Sequence, residues 1–177
     1  MPVSRAFPDA VTVVDDTELY ELGTEWFMDS EEAVAVDSTV AGPQLWVYVF
    51  NDEASTPWAK GTVVAVDAAT ANYDGIVAVA STPSNRLLGV AQHAIAAGKY
   101  GWILARGIGH VLAGTETIDA DEGVYVSKAT AGAGMETSTV ITDANASITE
   151  AHLAGPFAWA TADAASTATA LCFIQIR

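Results

Sequence analysis

Apolar positions in this chain fall in short runs broken by turn residues, never in one long stretch. Leu45-Trp46-Val47-Tyr48-Val49-Phe50 is unbroken β-branched and aromatic sequence, the pattern of a strand covered on both faces. Gly61 to Asp67 alternates and Ile76 to Ala80 reads as the returning strand, with Asp74-Gly75 between them as a hairpin signal. Ala33 to Val40 also reads as a strand. The stretch Leu87 to Gly114 predicts three strands: Gly89 to Ala94, Tyr100 to Arg106 and His110 to Ala113. In the second, Trp102 and Leu104 share one face and Ile103 and Ala105 the other. Gly107 and Gly109 interrupt the run and predict a bulge or corner. Gly123 to Ser127 is a further strand. Phe157 to Ala160 and Ala170 to Arg177 predict a closing hairpin across Asp163 to Ser166. Trp46, Tyr48, Trp102, Leu104, Val126, Phe173 and Ile174 lie in the strongest patterns and are the expected core.

Strands of this length with turn signals between them, and no βαβ alternation, predict a mainly β fold. The expectation is a small β-sandwich or β-barrel of short antiparallel hairpins, with an acidic N-terminal arm. A faint echo runs through it. IAAGKYGWIL from Ile95 aligns with IDADEGVYVS from Ile118, matching at the leading Ile, an Ala, an aromatic and a β-branched residue. This suggests two similar hairpins rather than a repeat architecture. Helical signals are few. Asp16 to Gly23 has an N-cap, Leu19 and Leu22 on one face and a glycine stop. Ser147 to Glu150 matches a capping box, with Gly155 as a stop.

Charge divides the chain unevenly. The net charge is −15, from 22 acidic and 7 basic residues. Residues 1–57 hold 12 acids and Arg5, a net of −11, and residues 58–177 hold 10 acids and 6 bases, a net of −4. Such a surface repels phosphates and anionic membranes, so nucleic acid and membrane are not expected partners. The acidic segment predicts an arm over 1–32 and a β domain over 33–177. Phe7 and the cluster Trp26, Phe27 and Met28 stand among its acids. They are the candidate partner-interface residues, since aromatic and Met side chains dominate binding hot spots.

Catalytic signatures are absent from the sequence: no HExxH, GxSxG, P-loop or CxxC occurs. His93, His110 and His152 are far apart and read as core or surface histidines. Asp119 to Gly123 copies the start of a calcium loop, but Thr130 stands where a bidentate Glu is needed. Asn145-Ala146-Ser147 is a glycosylation sequon that matters only in a secretory pathway, and the N-terminus lacks the apolar region of a signal peptide. Cys172 lies in an apolar run and reads as a small buried hydrophobe. No metal or cofactor is expected.

One resemblance adds to this reading. LGVAQHAIAAGKYGWILARG, then ETIDADEGVYVSKATAGAG, then an Ala-rich hairpin closing on ALCFIQIR, resembles the capsid decoration, or cement, proteins of tailed bacteriophages. The Ala-Gly-x-Tyr-Gly-Trp core and the later Gly-x-Tyr-Val-Ser element carry it, over residues 87–177. The resemblance implies a structural virion protein without enzymatic activity. It would bind the major capsid protein on the outer capsid surface as a homotrimer. Two other classes stay open: a carbohydrate- or receptor-binding β module of a virion appendage, and a hydrolase with an unrecognised carboxylate pair. An aromatic platform in a groove favours the first of these. Two carboxylates about 5 to 9.5 Å apart in a cleft favour the second.

Overall fold

A computed structural model describes residues 11–67, 69–70, 73–82, 84–136 and 155–176. The expected helical turn at Ser147 and the sequon at Asn145 lie outside the described residues, as does Phe7.

The fold is mainly β, as the sequence predicts. In chain order the elements are β1 (Glu25–Met28), α1 (Ser30–Val36), β2 (Gln44–Asn51), β3 (Val63–Val66), β4 (Asp74–Val77), β5 (Leu87–Ala91), β6 (Tyr100–Leu112), β7 (Gly123–Val126), β8 (Gly134–Glu136), β9 (Ala158–Ala160) and β10 (Thr169–Gln175). All ten strands join in one sheet, ordered β1-β2-β4-β3-β5-β6-β10-β9-β7-β8, and β2 also pairs with β6. That extra pairing closes β2, β4, β3, β5 and β6 into a five-stranded ring. Only β2 and β4 run parallel within it. The remaining strands extend from the other edge of β6.

Two apolar clusters fill this arrangement. Val47, Val49, Val64, Leu88, Ala91, Ile103 and Ala105 meet inside the ring, with Trp58 and Ile95. So small a ring has little room, and glycine supplies it. A Cβ on Gly75 would come within 2.6 Å of the Trp58 ring, and one on Gly89 within 2.8 Å of the Leu104 carbonyl oxygen. Asp74-Gly75 is therefore strand rather than turn. The larger cluster joins the outward face of the ring, with Trp46, Tyr48, Trp102 and Leu104, to the inward face of β7, β9 and β10. Six of the seven expected core residues are buried. Phe173 is the exception at 39% exposure, because period 2 puts Cys172 and Ile174 inside and Phe173 out.

The long strand β6 links the two halves. Its first residues pair with β2 and its last with β10. The change of partner occurs at a bulge: Leu45 faces Arg106 and Trp46 faces Leu104, leaving Ala105 out of register. The Ala105 carbonyl instead accepts from Ile176 N–H at 3.0 Å. Gly107 follows at φ +119, and a Cβ there would stand 2.7 Å from the Pro43 carbonyl oxygen. The strand does not end at its glycines. It bends there and changes neighbours.

The segments at Ile95 and Ile118 that echo one another prove to be two of four copies of a single device. Trp58 bridges Ile95, and Ile118 bridges Ala164, each pair antiparallel. Three residues after each bridge residue the backbone has positive φ: Gly61 (+90), Gly98 (+71), Asp121 (+65) and Thr167 (+64). In all four the next N–H returns to the carbonyl three residues back, as in a type II turn: Thr62 to Ala59, Lys99 to Ala96, Glu122 to Asp119 and Ala168 to Ala165. A strand follows each: β3, β6, β7 and β10. Each half of the molecule thus contains one bridged pair of these turns.

Three expectations are corrected at the N-terminus. Ala33 to Val40 is not a strand. Residues Ser30–Val36 form α1, because the Asp29 carboxylate accepts from Glu31 and Glu32 N–H while the Glu32 carboxylate accepts from Asp29 N–H. Asp16 to Gly23 is not a helix. It is an irregular loop fixed by Tyr48, whose hydroxyl donates to Asp15 at 2.8 Å and accepts from Leu19 N–H at 3.3 Å. Nor do residues 11–32 stand apart as an arm. Asp15 bridges Tyr100, and β1 pairs with β2 along its whole length.

Candidate interaction surface

Strand periodicity decides which of the proposed interface residues are available. In β1 the alternation puts Met28 inside, fully buried in the main core. This corrects its expected role: Met28 is a core residue. Trp26 is half-buried against the same core, and Phe27 points outward at 67% exposure. Of the three neighbours, only Phe27 offers a free aromatic surface.

Phe27 belongs to a wider apolar face that crosses the sheet. Register places it opposite Leu45, and Leu45 opposite Arg106. Two residues further along β6, Ile108 faces Phe173, which faces Trp159 on β9. Residues directly opposite, and residues two apart on one strand, share a face. One outward surface therefore carries Phe27, Leu45, Arg106, Ile108, Phe173 and Trp159. Trp159 is 43% exposed. Sequence reasoning missed Ile108, Phe173 and Trp159. The signal that could have found Phe173 is the strand period itself, since adjacent Phe173 and Ile174 cannot both face the core.

At the β6 bend this face deepens into a groove of about 460 Å³. Phe27 and Leu45 line it on one side and Phe173 on the other, with Ala41 to Gln44 at one end. Gln44 fixes that end. Its amide donates to the Ile108 carbonyl at 2.7 Å, and its amide oxygen accepts from the Trp46 indole at 3.1 Å. Arg106 is the one charged lining residue. Among the described residues it has no ion pair and no side-chain hydrogen bond.

A second cluster lies where α1 meets β6. His110 Nε2 is 3.2 Å from Asp37 Oδ2 and 3.1 Å from Thr39 Oγ1, and Lys60 Nζ is 2.8 Å from Asp37 Oδ2. Thr39 donates to Asp37 Oδ1 at 2.6 Å, so Nε2 carries the imidazole proton and shares it between both oxygens. Nδ1 is buried without a partner among the described residues. A nucleophilic triad needs carboxylate and hydroxyl on opposite ring nitrogens, and here they share one. Burial pushes the Asp37 carboxyl up, but the hydrogen bonds from Lys60 and Thr39 outweigh it and hold it well below the usual carboxylate range. Burial lowers the His110 pKa, Lys60 adds to this, and Asp37 opposes it. The cluster works as a clasp between α1, the turn at Lys60 and β6.

No protein-family model and no curated protein sequence matches the chain. Among the described residues, no group of three or more His, Cys, Asp or Glu side chains is placed to hold a metal ion, and no helix is long and apolar enough to cross a membrane.

Proposed function

We propose that this protein is a structural component that acts by docking, a decoration protein that binds the outer surface of a capsid and reinforces it. The observation that carries the reading is the outward face of Phe27, Ile108, Phe173 and Trp159. Contiguous exposed aromatic surface costs solubility and marks sites of association. Here it stands on rigid sheet, held by the cross-strand ladder beneath it, as a docking surface requires. The resemblance of residues 87–177 to phage cement proteins supplies the capsid as partner.

The carbohydrate-binding reading has one observation in its favour, the paired exposed rings of Phe173 and Trp159. The groove's chemistry counts against it. A sugar needs several hydrogen-bonding groups, yet the Gln44 amide is engaged at both ends and Arg106 is the one polar side chain in the lining without a partner among the described residues. As for hydrolysis, a general-acid carboxyl must be raised in pKa, whereas Asp37 is held low.

Mixing the full chain with bare phage heads and sedimenting them tests the proposal. The wild-type chain should pellet with the heads. Phe27→Ser/Trp159→Ser, changed only on the exposed face, should remain in the supernatant while keeping its far-ultraviolet circular dichroism. Equal co-sedimentation of both proteins would move the docking surface elsewhere.

A further inference from the structure

The apolar groove beside Arg106 has a counterpart on the same chain. The loop Asp15–Leu22 presents Leu19 at 63% exposure, flanked by the exposed carboxylates Glu18 and Glu21. The nearby Asp16 is engaged with Lys99 at 2.8 Å. Glu18 and Glu21 have no ion pair among the described residues. An exposed leucine between two free carboxylates is the complement of an apolar groove holding one free guanidinium. We propose that the loop of one copy inserts Leu19 into the groove of a second copy, with Glu18 or Glu21 meeting Arg106. This inference rests on reading the face as a docking surface and names the partner for its groove half.

The loop is built to present Leu19 rather than to bury it. Tyr48 Oη accepts from the Leu19 backbone N–H, and Thr24 Oγ1 donates to the Glu21 carbonyl at 2.6 Å. The Tyr20 ring packs on Tyr48 and Trp102, with centroids 5.2 and 5.3 Å apart. Tyr20 thus anchors the loop inward while its neighbour Leu19 stays in solvent. A loop already fixed in one shape loses little entropy on binding. In the groove, Phe27, Leu45 and Phe173 would surround the leucine. The guanidinium would gain a carboxylate partner in a site drier than open solvent, where such a pair is stronger than at an exposed rim.

The contact is not made within one chain: Leu19 is 63% exposed and does not line the groove. The loop packs over Trp102 through Tyr20, and the groove begins at Arg106, four residues further along β6. At about 3.3 Å per residue that is a separation on the order of 13 Å along the strand. Each copy therefore offers a knob and a socket at different places. Such a head-to-tail interface generates a closed ring where the rotation closes and a filament where it does not.

Sedimentation velocity over a concentration series, without heads, tests this. The wild-type chain should associate reversibly. Leu19→Ser and Arg106→Glu should each weaken association about tenfold or more. Glu18→Lys/Glu21→Lys should weaken it as well. Mixing that variant with Arg106→Glu should restore association, because each protein's loop then carries the charge opposite to the other's groove. All substitutions are at exposed positions, and circular dichroism checks that the variants fold. A wild-type chain that stays monomeric throughout overturns the inference, and so does a mixture that fails to associate. Neither result touches head binding, which co-sedimentation of the single variant Trp159→Ser, outside the groove lining, reads separately.

Discussion

Thr167 stands in the place that Gly61 holds: each is the third residue past a bridge residue, Ala164 or Trp58, and each has positive φ, +64 and +90. The backbone device is the same, yet one copy uses glycine and the other a β-branched residue. Left-handed backbone costs an L-residue about 1–2 kcal/mol, and β-branching makes it worse. Thr167→Gly removes that strain, and the greater freedom of glycine in the unfolded chain takes back roughly 0.4–1 kcal/mol. A net gain of about 1 kcal/mol is expected, read as a higher urea midpoint at unchanged slope. The converse changes distinguish two causes. At Gly98 there is open space for a Cβ, so Gly98→Ala should lose only the backbone term, about 1 kcal/mol. At Gly61 the Cβ would stand 2.5 Å from the Leu112 backbone nitrogen, so Gly61→Ala should lose clearly more. Equal losses at the two glycines would mean that the contact with Leu112 relaxes freely.

The same device shows where the sequence was readable and where it was not. Tyr100 to Arg106 and the hairpin of β9 and β10 were legible because alternation and turn residues agree there. The kinship of the Ile95 and Ile118 segments was visible as an echo. Its two further copies were not, because the left-handed position is Gly in the copies at Trp58 and Ile95 but Asp and Thr in the others, so glycine spacing gives no common signal. In the N-terminal part local signals pointed the wrong way. Val34 and Val36 alternate like a strand, and the capping pair Asp29 and Glu32 three residues apart was the sign that outweighs them. Asp16 to Gly23 has helical punctuation, but the Tyr48 hydroxyl, far away in sequence, claims Leu19 N–H and Asp15 and holds the segment irregular. For the candidate surface, residue type alone pointed to Trp26, Phe27 and Met28. Only the register of β1 on β2 separates the outward Phe27 from the buried Met28.

Cys172 offers a probe of the second half of the fold. Its side chain lies in the main core on β10, and burial pushes the thiol up to about 12. The thiolate is the reactive species, so at mildly alkaline pH a folded chain holds almost none of it. Modification by a thiol-specific reagent should therefore proceed only through opening of β10, far more slowly than in denaturant. Thr167→Gly should slow it further. Rapid labelling of the native chain, complete in the time the unfolded chain needs, would place β10 outside the stable core.

His93 should make the protein weaken in mild acid. Both of its ring nitrogens are buried without hydrogen-bond partners among the described residues, and burial lowers its pKa from 6.5 to about 4. In the unfolded chain the imidazole takes up a proton near 6.5, whereas in the folded chain it does so only near 4. Between those values the unfolded state binds more protons, so stability falls as the pH drops from 6.5 to 4 and levels off outside that window. The full difference corresponds to about 3 kcal/mol. His110, also lowered by burial, acts in the same direction below 6.5. The Asp37 clasp holds above the ordinary carboxylate value of 3.8 and fails only as the pH falls through its lowered folded value, so it adds its loss at the acid end. His93→Leu separates the first contribution from the others. It removes the titrating group and two unpaired polar atoms, and should leave stability at neutral pH equal or higher. Urea midpoints of the wild-type chain and the variant, taken from pH 7.5 to pH 4.5, check the expectation. Converted to free energies, the gap between them should widen toward acid by most of the amount stated, the rest falling below pH 4.5. Parallel curves would mean that His93 finds a partner or a proton path in solution, and the acid sensitivity would then belong to the clasp at His110 and Asp37.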